Sequence, residues 1–197
     1  MYFIGDIHGN FRRYQDIIDN YPESIQLGDF GLGFYPENDD FYMSIVDDIP
    51  THRFIRGNHD NPELCEAQPT CLGNFGYLEK ESIFYVAGAW SIDKAHRTPG
   101  VSWWENEELN YQQFNEAIKL YLEVKPRIFA SHDCPMSALP FVAGYPYPNS
   151  TSRGFEMMFN EHKPEIWVFG HHHKSRDFEI EGTNFRCLAE FEVEEIK

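Results

Sequence analysis

The chain has 197 residues, a formal net charge of -16 at pH 7, and 42% hydrophobic and 16% aromatic residues. This composition is typical of a folded protein with a substantial core, and it excludes an intrinsically disordered chain. The acidic balance argues against extended nucleic-acid binding or attachment to anionic membranes, because Lys and Arg are the residues that grip phosphate groups. The charge does not exclude a phosphorylated substrate, since bound divalent cations would reverse the local charge.

Cysteine usage and the first residues indicate a cellular compartment. The four cysteines, Cys65, Cys71, Cys134 and Cys187, form no C-x-x-C pair. We therefore expect reduced thiols rather than disulfides or a cysteine-zinc site, and we interpret Cys134 as a packed thiol. Met1 leads directly into a strand candidate without a signal peptide, and no apolar run is long enough to cross a bilayer. These features predict a cytoplasmic protein.

The N-terminal part of the sequence alternates between strand and helix patterns. Apolar runs predict strands at residues 1–4, Ser24–Leu27 and His52–Ile55. Between them, Asn10 can cap one amphipathic helix, and a second helix is ended by Pro50. This β-α-β-α-β order usually means that the strands are parallel.

The remainder of the chain combines a hairpin, two helices and several strands. Residues 61–73 are expected to be irregular and residues 90–104 to form a long loop. Apolar periodicity predicts helices around residues 114–122 and 155–159, each ended by a Lys-Pro pair. The predicted strands are Phe75–Leu78 and 83–87, which form the hairpin, then 127–130 and Ile166–Phe169, then three closing antiparallel strands at Arg176–Ile180, 184–188 and 191–193. No linker or repeat interrupts these elements, so a single domain spanning residues 1–197 is expected.

Residue types that bind metals follow the short apolar runs, one group at a time. They are Asp6 and His8, Asp29, Asn58, His132, and His171 and His173. If the runs are neighbouring strands, their carboxyl ends bring these side chains to one pocket. Carboxylate, amide oxygen and imidazole suit Mn²⁺, Fe or Zn²⁺. The set exceeds what one tetrahedral ion uses, and it fits two divalent ions that share a bridging carboxylate.

The local spacing of these residues predicts how they are presented. If residues 6–8 and 171–173 are extended, the outer residues of each segment point the same way, and Ile7 and His172 face elsewhere. Glycines such as Gly28 and Gly57 flank the predicted ligands, where a missing Cβ permits tight turns and close approach of other groups.

The ordered motifs D-x-H, G-D, G-N-H-[DE], H and G-H-x-H, which extend from residue 6 to residue 173, resemble those of the calcineurin-like metallophosphoesterase superfamily. The resemblance implies a four-layer α/β sandwich of two mixed β-sheets flanked by helices. It also implies a metal-dependent phosphoesterase with two divalent ions, with Mn²⁺ favoured over Fe, Zn²⁺ or Ni²⁺. One ion would be held by Asp6, His8, Asp29 and His173, and the other by Asp29, Asn58, His132 and His171.

The same resemblance implies a catalytic mechanism. A hydroxide activated by the two metals would attack phosphorus in line, without a covalent enzyme intermediate. His59 would contact the phosphoryl group and protonate the leaving oxygen as the general acid. Asp60 would orient His59 and raise its basicity.

The substrate and some alternatives remain open at this point. Protein phosphatases and dinucleoside polyphosphate hydrolases of the superfamily carry G-D-x-x-D-R-G, whereas residues 28–33 lack that Asp and that Arg. Arg56 and Arg97 are candidate phosphate clamps in its place. The expected partner is a phosphorylated small molecule or another phosphoester. A phosphodiesterase rather than a phosphomonoesterase, or a non-catalytic metal-binding scaffold of the same fold, are the alternatives, and the oligomeric state is open.

Overall fold

A computed structural model of the chain describes residues 1–144 and 148–197. In chain order its elements are β1 (Tyr2–Ile4), α1 (Phe11–Ile18), β2 (Ser24–Leu27), α2 (Pro36–Ile45), β3 (His52–Ile55), α3 (Pro62–Glu66), β4 (Phe75–Leu78), β5 (Ile83–Val86), α4 (Tyr111–Val124), β6 (Ile128–Ser131), α5 (Leu139–Val142), α6 (Ser150–Glu161), β7 (Ile166–Phe169), β8 (Arg176–Ile180), β9 (Thr183–Cys187) and β10 (Val193–Glu195). None of the described helices is both long and apolar enough to cross a membrane.

The strands form two mixed sheets. The first has the order β10-β1-β2-β3, and the second has the order β4-β5-β6-β7-β9-β8. Strands β1, β2 and β3 are parallel, as are β5, β6, β7 and β9. The strands β10, β4 and β8 lie at sheet edges and pair antiparallel with their neighbours. Each sheet therefore has one edge at which several carboxyl strand ends gather.

Three apolar clusters fill the spaces between the layers. The central cluster joins Ile25 of the first sheet to Ala130 and Val168 of the second. A second cluster packs the outer face of the larger sheet, including Trp167, against α4 and α6. A third cluster packs α1 and α2 against the outer face of the smaller sheet. Because both faces of the inner strands are covered, β5, β6 and β7 are almost entirely apolar. The structure confirms the predicted sandwich of two mixed sheets flanked by helices.

The C-terminal strands differ from the sequence prediction in their partners. The prediction of three closing antiparallel strands holds for the hairpin of β8 and β9. However, β9 also pairs parallel with β7, and β10 leaves this sheet to pair with β1. The last strand begins at Val193 rather than at residue 191. Apolar alternation reports which face of a strand is buried, but it carries no information on which neighbour the strand pairs with.

Two helical segments also differ from their predictions. The segment expected to be irregular contains α3, whose N-cap Asn61 accepts hydrogen bonds from the backbone N–H groups of Glu63 and Leu64. Its five residues are too few to display a helical apolar period. The helix predicted to end at Pro50 corresponds to α2, which begins at Pro36 and ends at Ile45. A 3₁₀ turn over Val46–Asp48 follows it.

Candidate metal centre

The carboxyl edges of the two sheets meet at the predicted metal ligands. His132 follows β6, and its Nδ1 lies 2.7 Å from the carbonyl oxygen of Leu27 at the end of β2. His171 follows β7, and its backbone N–H donates to the Asp6 carboxylate beyond β1 at 3.1 Å. Both contacts cross from one sheet to the other. The predicted site therefore lies between the two sheets, at the edge where their carboxyl strand ends meet.

One group of four side chains surrounds the carboxylate of Asp6. Nε2 of His173 lies 3.1 Å from Oδ2 of Asp6, and Nε2 of His8 lies 3.9 Å from the same oxygen. The Nε2 atoms of His8 and His173 are 3.0 Å apart. Nδ1 of His8 lies 4.0 Å from Oδ2 of Asp29. The ligand atoms of these four residues are close enough together to hold one cation.

A second group lies on the other side of Asp29. Oδ1 of Asp29 is 3.1 Å from Nε2 of His132, and a ligand nitrogen of His171 completes a cluster that could hold a cation. Asn58 is buried next to these residues, and its Nδ2 donates to Ser91 Oγ at 3.2 Å. Asp29 belongs to both groups, which is the position that a bridging ligand occupies.

Two buried polar atoms in this second group have spare bonding capacity. Oδ1 of Asn58 has no hydrogen-bond partner, and Nε2 of His132 faces only the Asp29 carboxylate at 3.1 Å, while the other polar atom of each side chain is already bonded. Buried polar atoms are nearly always satisfied, so the orphaned oxygen of Asn58 needs an explanation. An amide oxygen and an imidazole nitrogen are suitable donors for Mn²⁺, Fe or Zn²⁺. The residues present therefore fit the implied metals.

The backbone presents the ligands by a different geometry from the one predicted. His8, Asp29, His171 and His173 all have positive φ, at 46°, 50°, 64° and 51°. The segments 6–8 and 171–173 are thus not extended, although Ile7 does enter the core and His172 does face elsewhere. Left-handed backbone at non-glycine residues is unfavourable and clusters at functional sites. These left-handed turns let β1 and β7 each direct two ligands into one small volume.

Gly57 and Gly28 have no side chain at points where the ligands pack directly against the backbone. A Cβ on Gly57 would collide with the Asp29 carboxylate and with Nε2 of His132. A Cβ on Gly28, whose φ is +94°, would collide with the ring of His132. Both positions therefore require glycine because ligand side chains approach the backbone closely there, as the sequence predicts.

Charges at the site are strongly coupled through the buried carboxylates. Burial alone would lower the pKa of His132, but Asp29 and Asp6 outweigh it and raise the pKa to about 10. Burial lowers the pKa of His171 to about 4. Burial would raise the pKa of Asp29, yet His132 and His59 hold it well below its usual value. The Asp29 carboxylate therefore stays ionised, which is the state that a metal ligand requires.

His59 and Arg97 lie together at the mouth of the site. Nδ1 of His59 is 3.0 Å from Oδ2 of Asp29, and its Nε2 contacts the guanidinium of Arg97. Arg97 also donates to the backbone carbonyl of Asn58 at 3.1 Å and pairs with Asp93 at 2.8 Å. An open cavity of about 300 Å³ is lined by these residues and by His171 and His173. The loop of residues 90–104 thus forms one wall of the site.

The predicted contact between Asp60 and His59 is absent from the structure. Its buried carboxylate accepts hydrogen bonds from the backbone N–H groups of Phe30, Gly31 and Gly57. These bonds tie the glycine-rich loop to the segment that carries Asn58. Burial and the charge of Asp29 raise the pKa of Asp60 to about 6. The carboxylate that faces His59 is instead that of Asp29.

Arg56 also lies away from the site. Its guanidinium is buried, donates to the carbonyl oxygen of Glu107 at 2.7 Å and to Asn74 at 2.6 Å, and lies 3.9 Å from Glu66. These contacts fix the hairpin and the segment before α4 to β3. The placement does not support the expectation that Arg56 clamps a phosphate, and Arg97 is the arginine at the cavity.

The structure adds two polar residues that the sequence prediction missed. Glu190 lies 3.5 Å from Nε2 of His8 and 3.9 Å from Nδ1 of His173. Ser91 links Asn58 to Glu107, whose carboxylate accepts hydrogen bonds from the Ser91 N–H and hydroxyl. Glu190 follows the carboxyl end of β9, so recognising β9 as parallel would have indicated it.

The arrangement defines an α/β protein with a candidate dinuclear metal centre at the carboxyl edges of two facing sheets. A family model of calcineurin-like phosphoesterases matches residues 1–175. The chain belongs to the calcineurin-like phosphoesterase family, and it is a hydrolase of that class.

Solved structures with this fold share little sequence with the chain. The phosphopantetheinyl hydrolase PptH from Mycobacterium tuberculosis is 13% identical with a TM-score of 0.53, over 96% of this chain and 89% of that chain. A dimetal phosphatase from Danio rerio is 14% identical with a TM-score of 0.51, over 93% and 77%. GAP50, the anchor in the inner membrane complex of Plasmodium, is 11% identical with a TM-score of 0.54, over 96% and 71%. No curated protein matches the chain significantly.

Proposed function

We propose that the protein hydrolyses a small phosphate ester at a dinuclear metal centre. The observation that carries the proposal is the pair of ligand groups that share Asp29, with the unpartnered Oδ1 of Asn58 buried beside one of them. A shared carboxylate is what two closely spaced cations require. The family membership supports the reaction class, and the geometry supports the number of metals.

In this proposal the ligands divide as the family motif order implies. Asp6, His8, Asp29 and His173 hold one ion, and Asp29, Asn58, His132 and His171 hold the other. Mn²⁺ is the favoured ion, because oxygen donors and imidazole make up the whole set. Bound cations there would lower the pKa of water and neutralise charge that develops on the phosphoryl oxygens.

His59 would act as the general acid through Nε2, the ring nitrogen that contacts the Arg97 guanidinium at the cavity wall. Its Nδ1 faces Asp29 Oδ2 at 3.0 Å, and its backbone N–H donates to Asp29 Oδ1 at 2.8 Å. A hydrogen bond from Nδ1 fixes the ring orientation and leaves Nε2 to carry the transferred proton. In this assignment Asp29, rather than Asp60, orients His59. Asp60 holds the loop on which Asp29 lies.

Arg97 would bind the phosphoryl group. The leaving group would then lie against the aromatic side chains next to His59. The guanidinium at the cavity wall has the fork geometry that matches phosphate oxygens. The ring of Phe34 lies 4.7 Å from that of His59 and 6.1 Å from that of Trp104. A leaving oxygen protonated by His59 would belong to a group in contact with this aromatic wall. Aryl or heteroaryl esters are therefore the favoured substrates.

Hydrolysis of an aryl phosphate monoester and of the matching diester by the Mn²⁺-loaded protein tests the proposal. We expect release of the aryl alcohol by wild-type protein, and loss of both bound Mn²⁺ and activity in Asp29→Asn. Asp16→Asn, at an exposed position on α1, is the matched control and should keep both. Metal-loaded protein that cleaves neither ester would favour the non-catalytic scaffold, and faster diester cleavage would favour a phosphodiesterase.

A further inference from the structure

A third group of metal-ligand side chains lies behind the candidate dinuclear centre. It consists of Asp133, Cys134 and His172, whose ligand atoms all lie within 4.8 Å of one another. Asp133 and Cys134 follow His132 in the loop after β6, and His172 is the middle residue of the run after β7. Because His171 and His173 turn toward the dinuclear centre, His172 is directed away from it and into this group.

The separations of His172 from the other two ligands match those of a tetrahedral zinc site. Nε2 of His172 lies 3.2 Å from Oδ1 of Asp133 and 3.6 Å from Sγ of Cys134. With zinc–ligand bonds of about 2.0 Å to nitrogen and oxygen and about 2.3 Å to sulfur, a tetrahedral angle places nitrogen about 3.3 Å from oxygen and about 3.6 Å from sulfur. A hydrogen-bonded triad with a protonated thiol has similar separations, and cobalt substitution distinguishes the two.

Burial and charge also suit a zinc ion. Asp133 and Cys134 are fully buried, and the His172 side chain is 12% exposed. A carboxylate and a thiolate together balance the two positive charges of the ion, and imidazole adds a neutral ligand. The carboxylate is held in place by the N–H of Cys134 at 2.8 Å and by Nδ2 of Asn149 at 3.3 Å. Such outer hydrogen bonds are typical of zinc ligands.

The group has an open side that can accept a fourth ligand. A cavity of about 100 Å³ is lined by Asp133 and His172 of this group, together with Leu139, Asn149 and the neighbouring His171. A water molecule occupies about 30 Å³ in the liquid, so the cavity has room for one. Three protein ligands and one water complete four-coordination.

We propose that Asp133, Cys134 and His172 form a mononuclear zinc site that is separate from the dinuclear centre. The thiolate selects Zn²⁺ over Mn²⁺, because soft sulfur ligands favour zinc. Zinc binding releases the thiol proton of Cys134 to solvent. This inference does not rest on the proposed function.

Cobalt substitution tests the site directly. Co²⁺ bound by a thiolate gives an intense charge-transfer band in the near ultraviolet, whereas the dinuclear centre offers only nitrogen and oxygen. We expect Co²⁺-loaded wild-type protein to show this band and Cys134→Ser to lack it. Cys187→Ser removes another buried thiol and is the matched control, which should keep the band. Absence of the band from the wild-type protein, or its persistence in Cys134→Ser, would overturn the proposal.

A second variant covers the case in which Cys134→Ser does not fold. His172→Asn removes the imidazole at the solvent-facing side and leaves both buried residues in place. We expect it to bind one zinc fewer per chain than the wild-type protein by elemental analysis, while Mn²⁺ binding at the dinuclear centre is retained. An unchanged zinc content in folded His172→Asn would contradict the site, whatever the activity of the protein.

Discussion

The side-chain amide of Asn58 donates to Ser91 Oγ at 3.2 Å, and this bond turns Oδ1 of Asn58 away from any protein partner. Ser91 is held in turn by Glu107, at 2.6 Å from its hydroxyl and 2.9 Å from its N–H. The three residues form a buried relay from the loop after β5 to the end of β3. Its effect is to fix which end of the Asn58 amide faces the metal ligands.

Removal of the Ser91 hydroxyl should therefore weaken metal binding without removing a ligand. We expect Ser91→Ala to lower the Mn²⁺ affinity by about 10- to 100-fold, because Asn58 is then free to rotate its amide. Titration against a chelator measures this affinity. Ser44→Ala, on the exposed side of α2, should leave it unchanged. Equal affinities in the two variants would mean that Ser91 does not orient Asn58.

Replacement of Asp60 should mainly affect stability. An amide in its place keeps one acceptor oxygen but turns an NH₂ group toward the backbone donors of Phe30, Gly31 and Gly57. We expect Asp60→Asn to lose about 1–3 kcal/mol of unfolding free energy, the cost of unsatisfied buried groups. Urea unfolding of the metal-free protein measures this, with exposed Asp16→Asn as the control. Unchanged stability with an altered pH profile of activity would instead restore the pairing of Asp60 with His59.

Most of the candidate site could be predicted because the parallel strands end at shared edges. Asp6, Asp29, Asn58, His132 and His171 each follow a strand of one of the two parallel sets, so their order in the sequence already places them together. What the sequence does not contain is the left-handed backbone that aims them. That conformation is imposed by tertiary packing, against the preference of the residues themselves.

Contacts that depend on partners distant in the sequence could not be predicted. Asp60 bonds to N–H groups of a loop about 30 residues earlier, and an adjacent histidine was the more obvious partner by sequence alone. Glu190 was missed because the pairing of β9 is set by β7. Cys134 meets His172 only because the 171–173 run turns. Each of these contacts is decided by topology rather than by local pattern.

Substitution of Arg97 should lower kcat/KM, whereas substitution of Arg56 should lower the free energy of unfolding. Arg97→Met removes the cation at His59 and the cavity, so we expect kcat/KM to fall about 10- to 100-fold, as for loss of a charge-assisted bond. Arg56→Met removes buried bonds to Glu107 and Asn74, so we expect a loss of about 2–4 kcal/mol in unfolding free energy. Steady-state kinetics and urea unfolding on both variants check the pair. A kinetic defect in folded Arg56→Met would revive the prediction that it clamps substrate.

His59 should matter most when the leaving group is poor. We expect His59→Asn to lower kcat for an alkyl phosphate by about 10²- to 10⁴-fold, the usual range for a general acid. The decrease should be smaller for an aryl phosphate with an acidic alcohol, because that oxygen leaves without a proton. Bound Mn²⁺ should stay unchanged, since His59 is not a proposed ligand. Equal losses on both esters would show that His59 contributes binding rather than a proton, and exposed His96→Asn is the control.

His52 should make stability depend on pH independently of the metal centre. Its Nδ1 lies 3.0 Å from Ser24 Oγ, and burial lowers its pKa below the usual value, although Asp19 and Glu23 oppose the shift. The unfolded chain therefore binds a proton more readily than the folded protein, so the His52 contribution is complete above about pH 6.5 and is lost as the pH falls through the lowered folded pKa.

We therefore expect the unfolding free energy of the wild-type protein to fall more steeply between about pH 7 and about pH 5 than that of His52→Gln. The titration of the other histidines is common to both proteins and cancels in the difference between their pH profiles. Urea unfolding of the metal-free proteins measures these profiles, and His96→Gln, at an exposed position, should keep the wild-type slope. Parallel profiles for wild-type and His52→Gln would mean that the neutral imidazole of His52 is not preferred in the folded protein.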